Sequence, residues 1–403
     1  MGNDKKRGNG EGSVFYRKSA RRWVAKCVMG RKADGKLDVQ TKTCRTEADA
    51  KRALRLLLEE KHKNDYVQVQ RGTVQEFMTT WLTTVKRVEL KPKSYDRLEQ
   101  TLEFSVFPHI GWINVSEIQS SDIQQMMTKL FDQNLACSTI NKAYDAVNAC
   151  FRWGMEQNPP KVRFNPTVGV KKIKKSKRPP KSIVYYTKEE AAALSDAALK
   201  AYPNGTRYYR LGAAIILTLN TGLRLGELVA LEWDRDIDWN RKTLTVNKTV
   251  VRIRDRTITD KKAHTTQLQA STKTESGQGR TIPLNEDAIF ALKDLYAATG
   301  KFPYVLATRS GTRTSERDVD RLLRRIARMA GLPEEKIYGP HALRHTFATL
   351  LFYNGVDIKV ISKLLGHSDV SVTYNTYIHV IKEIEINALD MLPRLTAPTK
   401  KDH

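Results

Sequence analysis

The sequence predicts a mainly α protein with small β-sheets, an α+β chain built in three folded parts. Three observations carry this. Residues 73 to 160 keep a helical apolar spacing throughout, with punctuation confined to Pro108, Gly111 and Pro159-Pro160. Short runs of strand character occur elsewhere, between Ser13 and Thr43 and between residues 243 and 284. The stretch 161 to 182 holds Lys161, Arg163, Lys171, Lys172, Lys174, Lys175, Lys177, Arg178 and Lys181, no acid, and Pro166, Pro179 and Pro180. It reads as a stiff basic linker. The expected domains are therefore 1–66, 67–160 and 183–403, with the linker at 161–182.

Residues 1 to 11 are polar, basic and glycine-rich, a composition without the apolar residues to build a core. Strands are expected at Ser13 to Arg17, Arg22 to Val28 and Leu37 to Thr43, with Asp34-Gly35 turning into the third. A helix should follow from about Glu47 to Lys63, with Ala50, Leu54, Leu57 and Leu58 on one side. The basic residues crowd the strands and turns of this small unit, Arg21, Arg22 and Lys26 among them. A solvated basic surface is the plain reading. A strand ribbon entering a DNA major groove is the functional one, and the density of cations favours it.

Thr73-Val74-Gln75-Glu76 is a capping box, and Val74, Phe77, Met78, Trp81, Leu82 and Val85 continue it as a helical stripe. Further helices fit about 93 to 106, 121 to 132 and 138 to 156. No catalytic constellation appears here. The basic linker that follows, with Lys171, Lys172, Lys174 and Lys175, is a solvated charge run on the plain reading; on the functional one, joining two basic domains, it tracks a phosphate backbone.

A second capping box, Thr187 to Glu190, opens a helix to about Ala201, and an apolar helix is expected from Arg207 to Asn220. Thr221-Gly222 breaks it, and Arg224-Leu225-Gly226-Glu227 begins another. Arg224 and Glu227, three apart, form either an ordinary surface pair or a carboxylate that holds nearby cations. Strands are expected at 243 to 249 and 280 to 284. The stretch 250 to 271 between them is polar, basic and longer than a plain hairpin needs, so an extended β-hairpin leaning on DNA is expected. Helices fit 285 to 297 and 316 to 330.

Chemistry concentrates at 341 to 377. His341 and Arg344, three apart, share a face of a helix running from 341 to 353, with Gly355 as its stop. Asp357 is the N-cap of the next helix and Gly366 its C-terminal glycine, so His367 falls just past a helix end. Tyr377 lies beyond it. Arginine gives bidentate bonds to phosphate oxygens, histidine moves protons near neutral pH, and tyrosine can form a covalent intermediate. The set suits an anion attacked by a hydroxyl. His341 and His345 are four apart, a metal-site spacing, but the zinc-protease pattern needs Glu after the first His and Ala342 stands there. No metal is expected.

Composition sets the partner. The chain has 403 residues, 69 Lys and Arg against 44 Asp and Glu, and a formal net charge of +25. The cations run along the whole length, so the expected partner is nucleic acid. Cys27, Cys44, Cys137 and Cys150 show no CxxC spacing and read as free thiols in a reducing compartment. No apolar run approaches a membrane span, and the basic N-terminus has no hydrophobic segment after it, so a cytoplasmic protein is expected.

Taken together, five motifs resemble the tyrosine recombinase (phage integrase) family. They are Thr-Gly-Leu-Arg-Leu-Gly-Glu at 221 to 227, Thr-Lys-Thr followed by Gly-Arg-Thr-Ile-Pro-Leu at 272 to 284, His-Ala-Leu-Arg-His at 341 to 345, Leu-Gly-His at 365 to 367, and Tyr-Ile-His-Val at 377 to 380. Each is weak alone, whereas their order and spacing together are specific. The helical region ending in Asn165-Pro166 looks like the family's core-site-binding domain. The N-terminal Gly-Ser-Val-Phe-Tyr and Arg-Trp-Val-Ala stretches look like the arm-site-binding domain of conjugative-transposon and related phage integrases.

The resemblance implies a three-domain recombinase. Arg224 and Arg344 would clamp the scissile phosphate, and His341 and His367 would add hydrogen bonds or move the tyrosine proton. Lys273 would protonate the leaving 5′ oxygen, and Tyr377 would attack phosphorus to give a 3′-phosphotyrosyl link. Tyr374 and the hairpin lysines Lys261 and Lys262 are rivals with poorer motif context. No cofactor is implied. The implied partners are double-stranded DNA at core-type and arm-type sites, three further copies in a tetramer, an excisionase and a host DNA-bending protein. The competing expectations are a type IB topoisomerase, a chromosome-dimer resolvase, and a DNA-binding regulator with an inactive site.

Overall fold

The computed structural model describes residues 12–31, 37–62, 72–174, 183–258, 263–270 and 279–390. The chain divides into two compact units, with the break between Pro180 and Lys181.

The first unit begins with an antiparallel sheet, β1 (Ser13–Arg17), β2 (Arg22–Arg31) and β3 (Leu37–Cys44), in the order β1-β2-β3. Helix α1 (Glu47–His62) packs on one face, where Ala25, Cys27 and Met29 of β2 meet Ala50, Ala53, Leu54 and Leu57. Alternation puts the even residues of β2 on the other face. The register pairs Lys26 with Thr41 and Arg22 with Arg17, so exposed cations and a hydroxyl stand on that face beside the buried Val24. Arg21 sits in the turn before β2 in a left-handed conformation, φ 47°.

A separate helical core follows, formed by α2 (Val74–Trp81), α3 (Arg87–Glu89), α4 (Pro92–Thr101), α5 (Phe107–Ile110), α6 (Ser120–Asp132) and α7 (Cys137–Glu156). The capping box at Thr73 is present: Glu76 N–H donates to Thr73 Oγ1 at 3.2 Å, and Thr73 N–H donates to Glu76 Oε2 at 2.9 Å. Two π-helical turns, Leu82–Lys86 and Leu102–Val106, interrupt what periodicity alone read as straight helix. Around the first, Thr83 and Thr84 bond back to the carbonyls of Thr79 and Thr80, a competition that loosens a helix.

Residues 161 to 174 do not leave this core at once. Val162 is buried in it, and Val170 and Ile173 pack against it. Asn141 brackets Ile173, donating to its carbonyl at 2.9 Å and accepting from its N–H at 3.0 Å. Three apolar residues among the cations thus hold the first half of the basic stretch to α7.

The second unit contains α8 (Lys188–Leu199), α9 (Ala213–Thr221), α10 (Leu225–Leu228), α11 (Trp233–Asp236), α12 (Glu286–Thr299), α13 (Glu316–Met329), α14 (His341–Tyr353), α15 (Ile358–Leu365) and α16 (Val370–Asp390). Its strands are β4 (Ile237–Asp238), β5 (Thr243–Val246) and β8 (Arg280–Pro283) in one sheet, and β6 (Lys248–Arg254) paired with β7 (His264–Ala270) as a separate hairpin. The long connection expected at 250 to 271 is this hairpin. Helix α9 is apolar on all sides and buried at the centre. It begins at Ala213, not at Arg207 as expected, because Arg207 is held elsewhere. Its side chain binds Asp294 and the Leu199 carbonyl, and the backbone pairs Ala201 with Arg207. Among the described residues no helix is long and apolar enough to cross a membrane. Cys27, Cys44, Cys137 and Cys150 are free thiols.

Candidate active site

Four chain breaks in the second unit converge on one cluster of side chains. The first is the end of α9. Gly222 takes φ 61°, and a Cβ there would lie 2.5 Å from Phe347 Cδ1, so both conformation and space require glycine. The turn it makes delivers Arg224 as the N-cap of α10. Glu227 reaches back, accepting from Arg224 N–H at 2.9 Å and from its guanidinium at 2.9 Å. The surface-pair reading of this acid is thereby corrected: Glu227 is only 1% exposed. The apolar Leu225 and Leu228 flank it and draw α10 into the core, which carries the carboxylate inside.

The second break is the start of β8, which places Arg280. Its two terminal nitrogens donate to the two oxygens of Glu227 at 2.8 and 2.7 Å, and its Nε donates to the Leu364 carbonyl at 3.1 Å. Burial opposes the charge on Glu227, but the Arg280 hydrogen bonds and the charges of Arg280 and Arg224 outweigh it and hold the carboxyl down at about 2. Arg280 is a site residue that the sequence reading passed over. Its signal was a cation inside a short strand, within the Gly-Arg-Thr-Ile-Pro-Leu motif.

The third is the first turn of α14. Arg344 is 5% exposed and donates to the carbonyls of Gly222 at 2.7 Å and Leu365 at 2.6 Å. These partners are neutral, so its charge is not cancelled in place. Burial, then the nearby Arg224 charge, lowers its pKa to about 9, which still leaves it charged at neutral pH. His341 opens the helix. Partial desolvation and the charges of Arg344 and Arg224 lower its pKa.

The fourth is the end of α15. Gly366 is left-handed at φ 66°, as a helix-ending glycine should be, and a Cβ there would strike Arg280 Cδ at 2.8 Å. His367 follows, with Nε2 at 3.1 Å from Arg344 and Nδ1 at 2.7 Å from Thr373 Oγ1. Burial, then the three arginines, pushes its pKa down to about 4. Thr373, fully buried, is a second residue that sequence did not single out.

Tyr377 lies in α16 at a non-helical point, φ −106° and ψ 15°. It is 1% exposed, packed among Phe347, Phe352, Ile361, Leu365 and Val380. Its hydroxyl is 2.9 Å from His345 Nδ1. Burial raises its pKa to about 12, and the Arg344 charge works the other way. Tyr374, its rival, is 44% exposed.

The structure thus gathers Arg224, Glu227, His341, Arg344, His367 and Tyr377 in one unit, and adds Arg280, His345 and Thr373. Lys273, Lys261, Lys262 and Lys175 lie outside the described residues. Arg21, Arg22, Lys26, Lys171, Lys172 and Lys174 belong to the first unit and are exposed. Lys172 is paired with Asp145 at 2.6 Å and lies over the Tyr144 ring, so it is less available to an outside anion than Lys171 or Lys174. Among the described residues no group of acids, histidines and cysteines has the makings of a metal site.

Two guanidiniums, Arg224 and Arg280, share one buried carboxylate here and a third, Arg344, is bonded to neutral carbonyls, so the cluster is strongly cationic beside a desolvated phenol. That is equipment for transferring a phosphoryl group to a hydroxyl.

Comparison with known proteins narrows the class. The phage integrase family model matches residues 185–383, and the model of the phage integrase N-terminal SAM-like domain matches residues 73–131. A tyrosine recombinase XerC-like protein from Caldanaerobacter subterraneus subsp. tengcongensis is 29% identical over 382 residues, spanning 91% of this chain and 94% of the relative. Among solved structures, the Tn1549 transposon integrase in complex with transposon right end DNA superposes with TM-score 0.62 at 22% identity, over 79% of this chain and 100% of that one. A lambda integrase dimer bound to a COC′ core site gives TM-score 0.57 at 15% identity, over 92% and 96%. This chain belongs to the phage integrase family of tyrosine recombinases, enzymes that cleave and rejoin DNA at specific sites.

Proposed function

We propose that this protein is the integrase of a mobile element, catalysing its integration and excision through a 3′-phosphotyrosyl intermediate. The observation that carries the reading is the pairing of Arg224 and Arg344 around His367, with buried Tyr377 beside them.

Arg224 and Arg344 hold the non-bridging oxygens of the scissile phosphate and stabilise charge in the pentacoordinate state. Arg344, desolvated and bound to neutral carbonyls, gives the stronger field. Glu227 and Arg280 position Arg224 and keep the turn at 364–367 in register. His341 hydrogen-bonds the phosphate as a neutral imidazole, and His367, also neutral, holds the Arg344 guanidinium toward it, in keeping with their lowered pKa values. Lys273 protonates the 5′ oxygen, and Tyr377 becomes the phosphotyrosine. The bond energy is kept in that link, so rejoining needs no energy-rich cofactor.

The basic sheet with Arg21, Arg22 and Lys26 reads arm-type sites. The helical unit, with Lys171 and Lys174 along its exit and Lys175 next in sequence, grips the core-type site. The protein works in the cytoplasm as a tetramer on DNA, with an excisionase and a host DNA-bending protein setting direction. Support for the tetramer comes from a solved lambda integrase tetramer bound to a Holliday junction, TM-score 0.52 at 15% identity.

A supercoiled plasmid assay tests the reading, with and without a pair of the element's end sequences. Site-dependent recombinant products are expected. Site-independent relaxation would turn the assignment to a topoisomerase, and binding without strand breakage would turn it to a regulator.

A further inference from the structure

We infer that His345 is the proton acceptor for the attacking tyrosine. This rests on the reading of Tyr377 as the nucleophile, and it takes the proton-moving role away from His341 and His367.

A phenol attacks phosphorus as it loses its proton, so a base must stand on its oxygen. His345 Nδ1 is 2.9 Å from the Tyr377 hydroxyl, and the rings meet edge-on with centroids 5.7 Å apart. Phe352 packs against the other side of Tyr377 at 5.4 Å. The pair is therefore held by packing as well as by the hydrogen bond. The phenol's raised pKa keeps it protonated at neutral pH, which makes an acceptor necessary.

His367 is not placed for the task. A guanidinium only donates, so His367 Nε2 accepts from Arg344. The ring proton then sits on Nδ1 and is given to Thr373 Oγ1. Both nitrogens are committed, and an imidazole with a pKa of about 4 is a weak base. His341 lies one helical turn before His345, at the mouth of α14, and is likewise made less basic by burial and then by Arg344 and Arg224. Among the described residues, Tyr377 on α16 is bonded to His345, His367 after α15 feels its charge, and Arg344 and His341 are its neighbours on α14. His345 is among the neighbours that lower the readiness of His367 to take a proton. The Arg344 charge favours the phenolate that His345 creates.

The step balances. The Tyr377 oxygen bonds to phosphorus as the bond from phosphorus to the 5′ oxygen breaks. The phenol proton moves to His345 Nδ1, giving an imidazolium, and the 5′ oxygen takes a proton from the general acid. Rejoining runs the same transfers backwards, so His345 returns the proton to the tyrosine.

The test is single-turnover cleavage by the full chain of a nicked suicide duplex built from the element's end sequence. Asn at 345 keeps a hydrogen-bond acceptor near the position of Nδ1 but cannot take up the proton. His345→Asn should bind the duplex within about 2-fold of the unaltered protein yet form the covalent adduct roughly 10²-fold more slowly, the usual reach of a general base. Its rate should keep climbing with pH toward the phenol's own range, where the unaltered protein levels off. His345→Ala should be partly restored by imidazole in the buffer. A purely structural role would be satisfied by Asn and indifferent to imidazole. Unchanged rate and pH profile in His345→Asn, or no response of His345→Ala to imidazole, would overturn the inference, provided Tyr377→Phe forms no adduct. An adduct in Tyr377→Phe would instead remove the nucleophile assignment on which it rests.

Discussion

Replacing Glu227 with Gln removes the charge that three arginines face while keeping the side chain's shape. The size of the effect follows from linkage. The carboxyl is held at about 2 in the folded chain against an ordinary 4.5. A depressed carboxyl pKa stabilises the fold above its unfolded value, and that contribution is lost as pH falls toward the folded one. The difference amounts to about 3 kcal/mol above pH 5, of which about 2 kcal/mol is gone by pH 3. The side chain is buried, so solvent screening takes little of this. Pulse proteolysis in urea, with fragments of the second unit identified by mass, measures the stability of that unit in the full chain. Glu227→Gln should be less stable by about 3 kcal/mol at pH 7 and by about 1 kcal/mol at pH 3. A gap that stays constant between these pH values, or one below about 1 kcal/mol at pH 7, would refute the reasoning, because the carboxylate would then not be the anchor of Arg280 and Arg224.

Two further outcomes are expected. Lys273→Ala should be inactive on ordinary DNA and substantially restored on a 5′-bridging phosphorothiolate, whose sulfur leaves without a proton; restoration of Lys262→Ala instead would move the acid into the β6–β7 hairpin. A protein starting near Thr73 should still cleave core sites but lose arm-site affinity. Its binding on DNA carrying both sites should fall less steeply with salt, since fewer phosphates are neutralised; equal slopes for the two proteins would deny the N-terminal sheet a DNA role.

Much of this architecture was legible because its signals are local. The capping boxes at Thr73 and Thr187 and the glycines at 222, 355 and 366 act within a few residues of their own helices. Where they stand, the helix ends were found to within a residue or two. Arg207 could not be read in this way. What holds it out of α9 is Asp294, 87 residues further on. The π turns at 82 and 102 leave the apolar spacing of the helices intact, so periodicity did not show them. In the site, Arg224, Arg344, His367 and Tyr377 could be picked out by chemical type and motif. Arg280 and Thr373 could not, since they act on other protein groups: the partner of Arg280 lies 53 residues away, and Thr373 reaches back to His367 in the turn before its helix. Glu227 was ambiguous for a related reason. An i, i+3 pair looks the same on a surface as in a core, and the burial that decides its strength comes from Leu225 and Leu228 packing inward.

The central claim is that the buried phenol of Tyr377 is the group that takes the DNA strand. The most direct measurement is mass spectrometry of the protein trapped on a nicked suicide duplex, digested and searched for the nucleotide-bearing peptide. The account predicts a 3′-phosphate ester on Tyr377, its absence in Tyr377→Phe, and its persistence in Tyr374→Phe. A nucleotide on Tyr374, or an undiminished adduct in Tyr377→Phe, would contradict it.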